Sequence, residues 1–384
     1  VKIYANPSFA VVYEGEGRMK ENIYVSDLCR RLADGPSPSH VQELAQSRYP
    51  LAMYEHGLKA NRSAYGPDSR PPVEELAGGV GVRSSRLPDC QLESPYIRLL
   101  APVGGWLHPD TLEALADFAE CFGEGHIHLS TGGAIEIYLP RDQVLPAVKE
   151  LNRLGLDVGS TGDGIRCIIS CCGQARCDAA LVDANAIAHY LGQRFIAEQQ
   201  YPSFPHKVKT AVAGCPNDCV RAGTQKDHSF IGVFNGGPII NQEELERWLK
   251  AGKDPVILVQ GCLGKALTLF KGEVLLDANR CISCMHCINI CPAFRPGINR
   301  GVAWVAGGKY GSRGPEGPMP GLVLIPFIPL TPGDYSRIGD IYGSFLELWD
   351  AHGKEKERIG DFICRFGPEQ VLANMDAGIC PDEV

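Results

Sequence analysis

Eight of the chain's sixteen cysteines fall into two separate groups, and a chain that gathers thiols in this way has to fold around them. Cys171, Cys177, Cys215 and Cys219 are spaced C-x5-C and then C-x3-C. Cys281, Cys284, Cys287 and Cys291 are spaced C-x2-C-x2-C-x3-C, with Pro292 following. Thiolates at such spacings hold iron–sulfur clusters. Two different spacings imply two different clusters, hence an electron path that ends in a reaction.

Disulfide scaffolds are the other common use of many cysteines, but they are typically short and secreted. This chain has 384 residues, and its opening stretch is broken by Tyr4, Asn6, Pro7, Tyr13 and Glu14, so no secretory apolar core is read there. The most apolar run, 321–330, carries two prolines and is too short to span a bilayer. A reducing cytoplasm is therefore expected, with no membrane span. The net charge of −8 argues against nucleic acid as the main partner and leaves room for a local basic pocket.

The length suits two or three domains. Residues 1–92 carry weak helical periodicity at 22–32 and 41–51, a Pro/Ser/Gly-rich stretch at 63–75, and no assignable chemistry. Residues 93–155 read as a compact α+β unit. It has a strand at 96–100, a helix at 109–122 capped by Asp110 and stopped by Gly123, a hairpin over 127–139 turning at Thr131-Gly132-Gly133, and a helix at 142–154. In 156–240 a cysteine loop is followed by a long helix (179–199) and strands at 208–213 and 230–234. Residues 241–300 form a cysteine-rich insertion opened by a charged helix at 242–250. Strands at 302–306 and 322–327 and helices at 335–351 and 355–366 then resume the larger domain through 301–384. The expected class is α+β, with a weak hint of two similar halves.

The run Cys281-Ile-Ser-Cys284-Met-His-Cys287-Ile-Asn-Ile-Cys291-Pro292 matches the bacterial ferredoxin run residue for residue. In two-cluster ferredoxins the fourth cysteine of that run serves the other cluster, so Cys291 is expected to stand aside. Cys262, in Gly261-Cys262-Leu263-Gly264, occupies the place of the other half-motif's last cysteine and is the expected fourth ligand beside Cys281, Cys284 and Cys287. Leu263 stands where a proline usually follows. A structural zinc site is the plainer alternative, but zinc ligands usually come as two pairs.

In Gly214-Cys215-Pro216-Asn217-Asp218-Cys219, proline suits the first turn of a helix, which would put Cys215 and Cys219 on one face with free amides nearby. Cys171 and Cys177 are six apart and need a turn near Gly173 to converge. Lys207 and Lys209 alternate on an expected strand and face one side. Cys172 reads as a packing residue. Cys29, Cys90, Cys121, Cys167, Cys364 and Cys380 read as buried or surface thiols without a role. His126 and His128 read as a hairpin face.

These motifs together resemble the siroheme sulfite and nitrite reductases, and within them the alpha-type subunits of dissimilatory sulfite reductases. The resemblance runs from about Tyr96 to Phe366. It includes Tyr96-Ile-Arg98, Ser130-Thr131-Gly132, Arg166, Cys172-Gly-Gln-Ala-Arg-Cys177, Lys207-Val-Lys209, Gly214–Val220, Asp227, Arg300-Gly301 and Gly307-Gly308-Lys309. Residues 1–92 show no likeness to the family.

The resemblance implies siroheme-like half-repeats carrying an inserted ferredoxin-type [4Fe-4S] domain. It further implies siroheme coupled to a [4Fe-4S] cluster on Cys171, Cys177, Cys215 and Cys219, with Cys219 bridging to the haem iron. Arg98, Arg166, Lys207 and Lys209 would hold sulfite and the many haem carboxylates, aided by Ser130, Thr131, Asn217, Lys309 and Arg313. Six-electron reduction of sulfite to sulfide would follow, in an α2β2 assembly with a beta-type subunit, an electron donor and possible hand-over to a thiol-bearing sulfur carrier. Three alternatives stay open: a siroheme nitrite reductase, the same enzyme run in reverse to oxidise sulfide, and a non-catalytic electron-transfer subunit.

Overall fold

The computed structural model describes residues 82–84, 95–123, 125–140, 143–200, 203–311 and 314–378, which all belong to one compact unit. The expected helices at 22–32 and 41–51 lie outside the described residues, as do Arg313, Cys29, Cys90 and Cys380.

The first part is an antiparallel sheet backed by two helices. Strands β1 (Val82–Ser84) and β2 (Pro95–Leu100) are followed by α1 (Pro109–Phe122), β3 (Ile127–Leu129), β4 (Ala134–Tyr138) and α2 (Val144–Arg153). The sheet order is β1-β2-β4-β3. Ile97 and Leu99 alternate inward on β2, and Ile135 and Ile137 on β4. They meet Leu115, Phe118 and Ala119 of α1 and Val144, Ala147 and Leu151 of α2 in one core. The cap of α1 differs from the expected one: the His108 side chain accepts from the Asp110 amide. Gly123 ends the helix as expected.

The second part is a five-stranded mixed sheet. It is built from β5 (Ile169–Ser170), α3 (Ala184–Arg194), α4 (Ile196–Gln200), β6 (Thr210–Ala213), α5 (Ala222–Gln225) and β7 (His228–Asn235). The expected long helix over 179–199 starts later and breaks at Phe195, which ends α3. After β7 the chain leaves the sheet through β8 (Ile239–Ile240), α6 (Gln242–Lys250), α7 (Val256–Gln260), the hairpin β9 (Leu267–Phe270) and β10 (Glu273–Leu276), α8 (His286–Ile290) and β11 (Phe294–Arg295). It then returns as β12 (Asn299–Ala306) and β13 (Leu322–Pro329), and closes with α9 (Ser336–His352), α10 (Ile359–Phe366) and α11 (Pro368–Asn374).

The order is β13-β12-β7-β6-β5, with β5, β6 and β7 parallel and the other pairings antiparallel. Residues 301–306 of β12 are all buried, the pattern of a strand covered on both faces. The excursion between β7 and β12 has a core of its own around Leu245, Leu258, Leu267, Val274 and Phe294. Its ends are tied by the β8–β11 ladder, and β12 re-enters opposite the residue where β7 stopped, Asn299 pairing with Asn235.

Candidate functional site

In the excursion, Cys262, Cys281, Cys284 and Cys287 line one pocket together with apolar residues such as Leu258 and Met285. The loop can bring them together because Ser283 and Met285 adopt left-handed conformations, φ 55° and 62°. The Ser283 hydroxyl is anchored on the Phe234 carbonyl of β7. Backbone amides point at the sulfurs: Ala266 donates to Cys262 Sγ at 3.2 Å, and the amides of Ser283 and Ile288 serve Cys281 and Cys287. Burial, then the neighbouring thiols, push Cys287 up to about 12. Four thiolates there would need the cationic charge of bound metal to exist together. Cys291 is fully buried, lies outside this cavity, and has Glu244 rather than the other thiols as its charged neighbour.

Cys171, Cys177, Cys215 and Cys219 are also brought together, since Cys215 feels each of the other three. The turn at Gly173 has φ +56° and starts a short 3-10 turn, so Cys171 and Cys177 converge. Cys171 Sγ accepts from the amides of Gly173 (3.4 Å) and Gly214 (3.1 Å). Gly232 of β7 lies so close to the Gly214 carbonyl that a Cβ would sit 2.3 Å from it, so this glycine lets the cysteine loop rest on the sheet.

The expected helix at Pro216 is absent. Residues 214–220 form bends and turns, with Asp218 left-handed at φ 43°. Asp218 uses both carboxylate oxygens to cap the amides of Ala222 (2.7 Å) and Gly223 (2.9 Å), so the helix begins after the cysteine loop instead of within it. Cys215 is buried and Cys219 is exposed, so this group opens outward while the other is walled in. Cys172 is exposed, and its carbonyl accepts from Asn185. Among the described residues no three His, Cys, Asp or Glu side chains are gathered closely enough for a single metal ion, and a multi-iron cluster asks for a wider ring of thiols.

The two thiol groups are tied to each other. Asn289 Nδ2 on α8 donates to Asn217 Oδ1 of the Cys215–Cys219 loop at 2.8 Å. Asn217 is thus a link between the groups in this structure.

The basic residues gather beside the open group. Arg98 and Arg166 both donate to the Ser160 carbonyl, and Arg166 also reaches the Gly162 carbonyl at 2.7 Å. Arg98 is ion-paired with Glu136, its register partner on β4, which also contacts His128 Nδ1 at 2.9 Å. Lys207 and Lys209 flank Val208, which is fully buried and bridged to Ile165, so they face the same way. The Lys209 amide donates to Asp227 Oδ2, and Arg358 clamps Asp227 Oδ1 through two nitrogens at 2.9 and 2.7 Å.

Lys209 is pulled below the usual lysine range by burial and then by Arg358. Lys226 is pulled down by burial and then by Lys209. Cations set near one another in this way favour a nearby anion. Lys226 also feels Asp218, the neighbour of Cys219 in the chain.

Lys309 is fully buried in an ion pair with Asp361, so its charge is spent inside the fold. The Ser130 hydroxyl accepts from the Ala134 amide and closes the hairpin, and Thr131 is exposed at the tip. Lys226 and Arg358 were not singled out from the sequence. Arg358 acts 131 residues from Asp227, and no local pattern announces it.

Residues 161–378 match the family described as Nitrite and sulphite reductase 4Fe-4S domain, and residues 93–154 match the Nitrite/Sulfite reductase ferredoxin-like half domain. The chain belongs to the nitrite and sulphite reductase family. It is similar to the alpha subunit of the dissimilatory-type sulfite reductase of Allochromatium vinosum, 29% identical over 94% of this chain and 91% of that protein. It is also similar to the beta subunit from Archaeoglobus fulgidus, 24% identical over 68% of this chain and 73% of that one. A crystal structure of dissimilatory sulfite reductase I has the same fold, with a TM-score of 0.75 and 24% identity over 94% of this chain and 88% of that one. A match over 94% of the chain must reach into residues 1–92, which corrects the expectation that this region is unlike the family.

Proposed function

We propose that this chain is the alpha-type subunit of a siroheme-dependent sulfite reductase of the dissimilatory type, reducing sulfite to sulfide with six electrons. The observation that carries the reading is the convergence of four cysteines at each of two places, one of them ending in the exposed Cys219, with the two loops joined by the Asn289–Asn217 hydrogen bond. Cys262, Cys281, Cys284 and Cys287 would hold one [4Fe-4S] cluster, and Cys171, Cys177, Cys215 and Cys219 the other, with Cys219 shared with siroheme. Siroheme, when bound, supplies an iron that takes the sulfur of sulfite and receives electrons from the adjoining cluster.

The chain's own residues do the rest. Apolar residues line the Cys262–Cys287 group, and its amides stabilise charge on sulfur. The Asn289–Asn217 hydrogen bond holds the loop of the open group against the helix of the other, the side on which electrons would pass between clusters bound there. Lys207, Lys209, Lys226, Arg98 and Arg166 provide the positive field that draws in and orients an oxyanion and haem carboxylates. As oxygen is lost, protonated lysine nitrogens are the nearest acids. The homologous beta subunit is the natural second component of an α2β2 assembly, with a soluble electron donor and a thiol-bearing sulfur carrier as further partners. No helix among the described residues is long and apolar enough to cross a membrane. The free thiols of the described residues suit a reducing cytoplasm.

The test is a visible spectrum of anaerobically purified enzyme with its pigment extracted. An isobacteriochlorin spectrum perturbed by sulfite supports the reading. Iron–sulfur absorption with no extractable tetrapyrrole, in a preparation containing the beta subunit, overturns it.

A further inference from the structure

Reduction of sulfite consumes protons as well as electrons, and the lysines of the pocket must be reprotonated after each oxygen leaves as water. A hydrogen-bonded polar group lies at the surface beside them, His206 directly preceding Lys207 in the chain. Asp163 Oδ1 contacts His206 Nδ1 at 3.0 Å, and Lys356 donates to Asp163 Oδ2. The backbone holds this group in place: the Phe204 amide donates to the Asp163 carbonyl at 3.0 Å, and the left-handed Lys356 donates its amide to the Pro205 carbonyl at 2.9 Å. Side-chain exposure falls along the network, from 45% at Lys356 through 30% at Asp163 and 22% at His206 to 12% at Arg358 and zero at Asp227.

His206 therefore stands where the charged cluster meets water. The charged groups facing it are Asp163 and Lys356 from their two loops, Lys207 beside it in the chain, and Arg358 at the start of α10. Arg358 in turn faces Lys209.

We propose that the His206–Asp163 pair is the proton relay of this active site, a role that rests on the sulfite-reductase reading above. The Asp163 carboxylate holds the Nδ1–H of the imidazole. The other nitrogen, Nε2, gives its proton inward to a lysine Nζ that has just protonated a departing oxygen, and regains one from solvent or a buffer acid. The proton count balances for each oxygen lost: solvent supplies what the lysine has donated, while the external donor supplies the electrons through the thiol-held clusters. Burial lowers the imidazole's affinity for protons and Asp163 partly opposes this, so the protonated ring readily gives its proton up.

The test uses the assembled holoenzyme with His206→Gln and Asp163→Asn, each checked for an unchanged visible spectrum. The relay predicts that His206→Gln lowers kcat for sulfite by about 100-fold, the lower end of what a positioned acid–base group contributes. KM should be unchanged and the fall of rate toward alkaline pH abolished. Added imidazole should recover much of the loss. In Asp163→Asn the same alkaline limb should move to lower pH, because a contact that favours the charged ring is gone. Independently of turnover, calorimetry of sulfite binding in buffers of different ionisation heat should show proton uptake in the parent enzyme and less in His206→Gln. A wild-type pH profile in His206→Gln, or a loss that imidazole does not rescue, overturns the relay. A parent enzyme that neither binds nor reduces sulfite overturns the functional reading on which it rests.

Discussion

The two thiol groups use the same ligand chemistry in opposite surroundings. Cys262, Cys281, Cys284 and Cys287 line one cavity with apolar walls, away from the cations. Cys171, Cys177, Cys215 and Cys219 end in an exposed cysteine that follows Asp218, a carboxylate felt by Lys226. A walled cluster can pass electrons and do little else; an open one beside a positive field can meet a substrate. The contrast teaches that surroundings, more than ligands, divide relay from reaction centre.

The contrast can be broken most forcefully at Cys219. Cys219→Ser should remove more than about 100-fold of sulfite turnover, since even the outer partners of metal ligands are worth 10–100-fold. EPR should show the haem–cluster coupling lost and the other cluster intact; a coupled signal that persists would refute the assignment. Cys281→Ser should do the converse, keeping the haem spectrum while donor-driven turnover falls by about 100-fold or more on the same argument. Equal damage to both signals would mean that the two sites are not separable.

Lys309→Ala tests whether this buried lysine is structural. Leaving Asp361 buried and unpaired should cost about 3–5 kcal/mol, read as a lower unfolding midpoint. A variant of normal stability that has lost haem would instead return Lys309 to the pocket. Asn289→Ala removes a solvent-exposed contact worth about 1 kcal/mol, so stability should barely change. Slower reoxidation of the Cys262–Cys287 cluster in rapid-freeze EPR would show that the contact matters for electron transfer. Cys291→Ala should leave both cluster signals unchanged, and loss of either would restore it as a ligand.

Much of this arrangement is legible in the chain. The helix at 242–250 appears at its expected bounds because Asn241 caps it and its charges suit both ends. The turn at Gly133, φ +79°, also appears where the glycines place it. Spacing points to two groups of thiols, and likeness to a ferredoxin half-motif points to Cys262, which lines one pocket with Cys281, Cys284 and Cys287 while Cys291 does not. What could not be read depends on competition and distance. Pro216 offered a helix start, but the Asp218 carboxylate outcompetes it by capping a later one. Arg98 reads as a pocket cation, yet Glu136, 38 residues away, shares its charge. The Arg358–Asp227 clamp joins segments that no local periodicity connects.

The way the excursion is attached has a consequence for inheritance. Its entry and exit are held side by side by β8 and β11, and the host strands β7 and β12 pair in unbroken register without it. A gene could gain or lose residues 241–293 in one event, and the sheet would need only a short turn to close the gap. Such a shortened chain would have to refill the place of Met285 in the main core, and it would have to take its electrons directly from a visiting protein. The wiring of the enzyme is, in that sense, a removable part rather than a property of its frame.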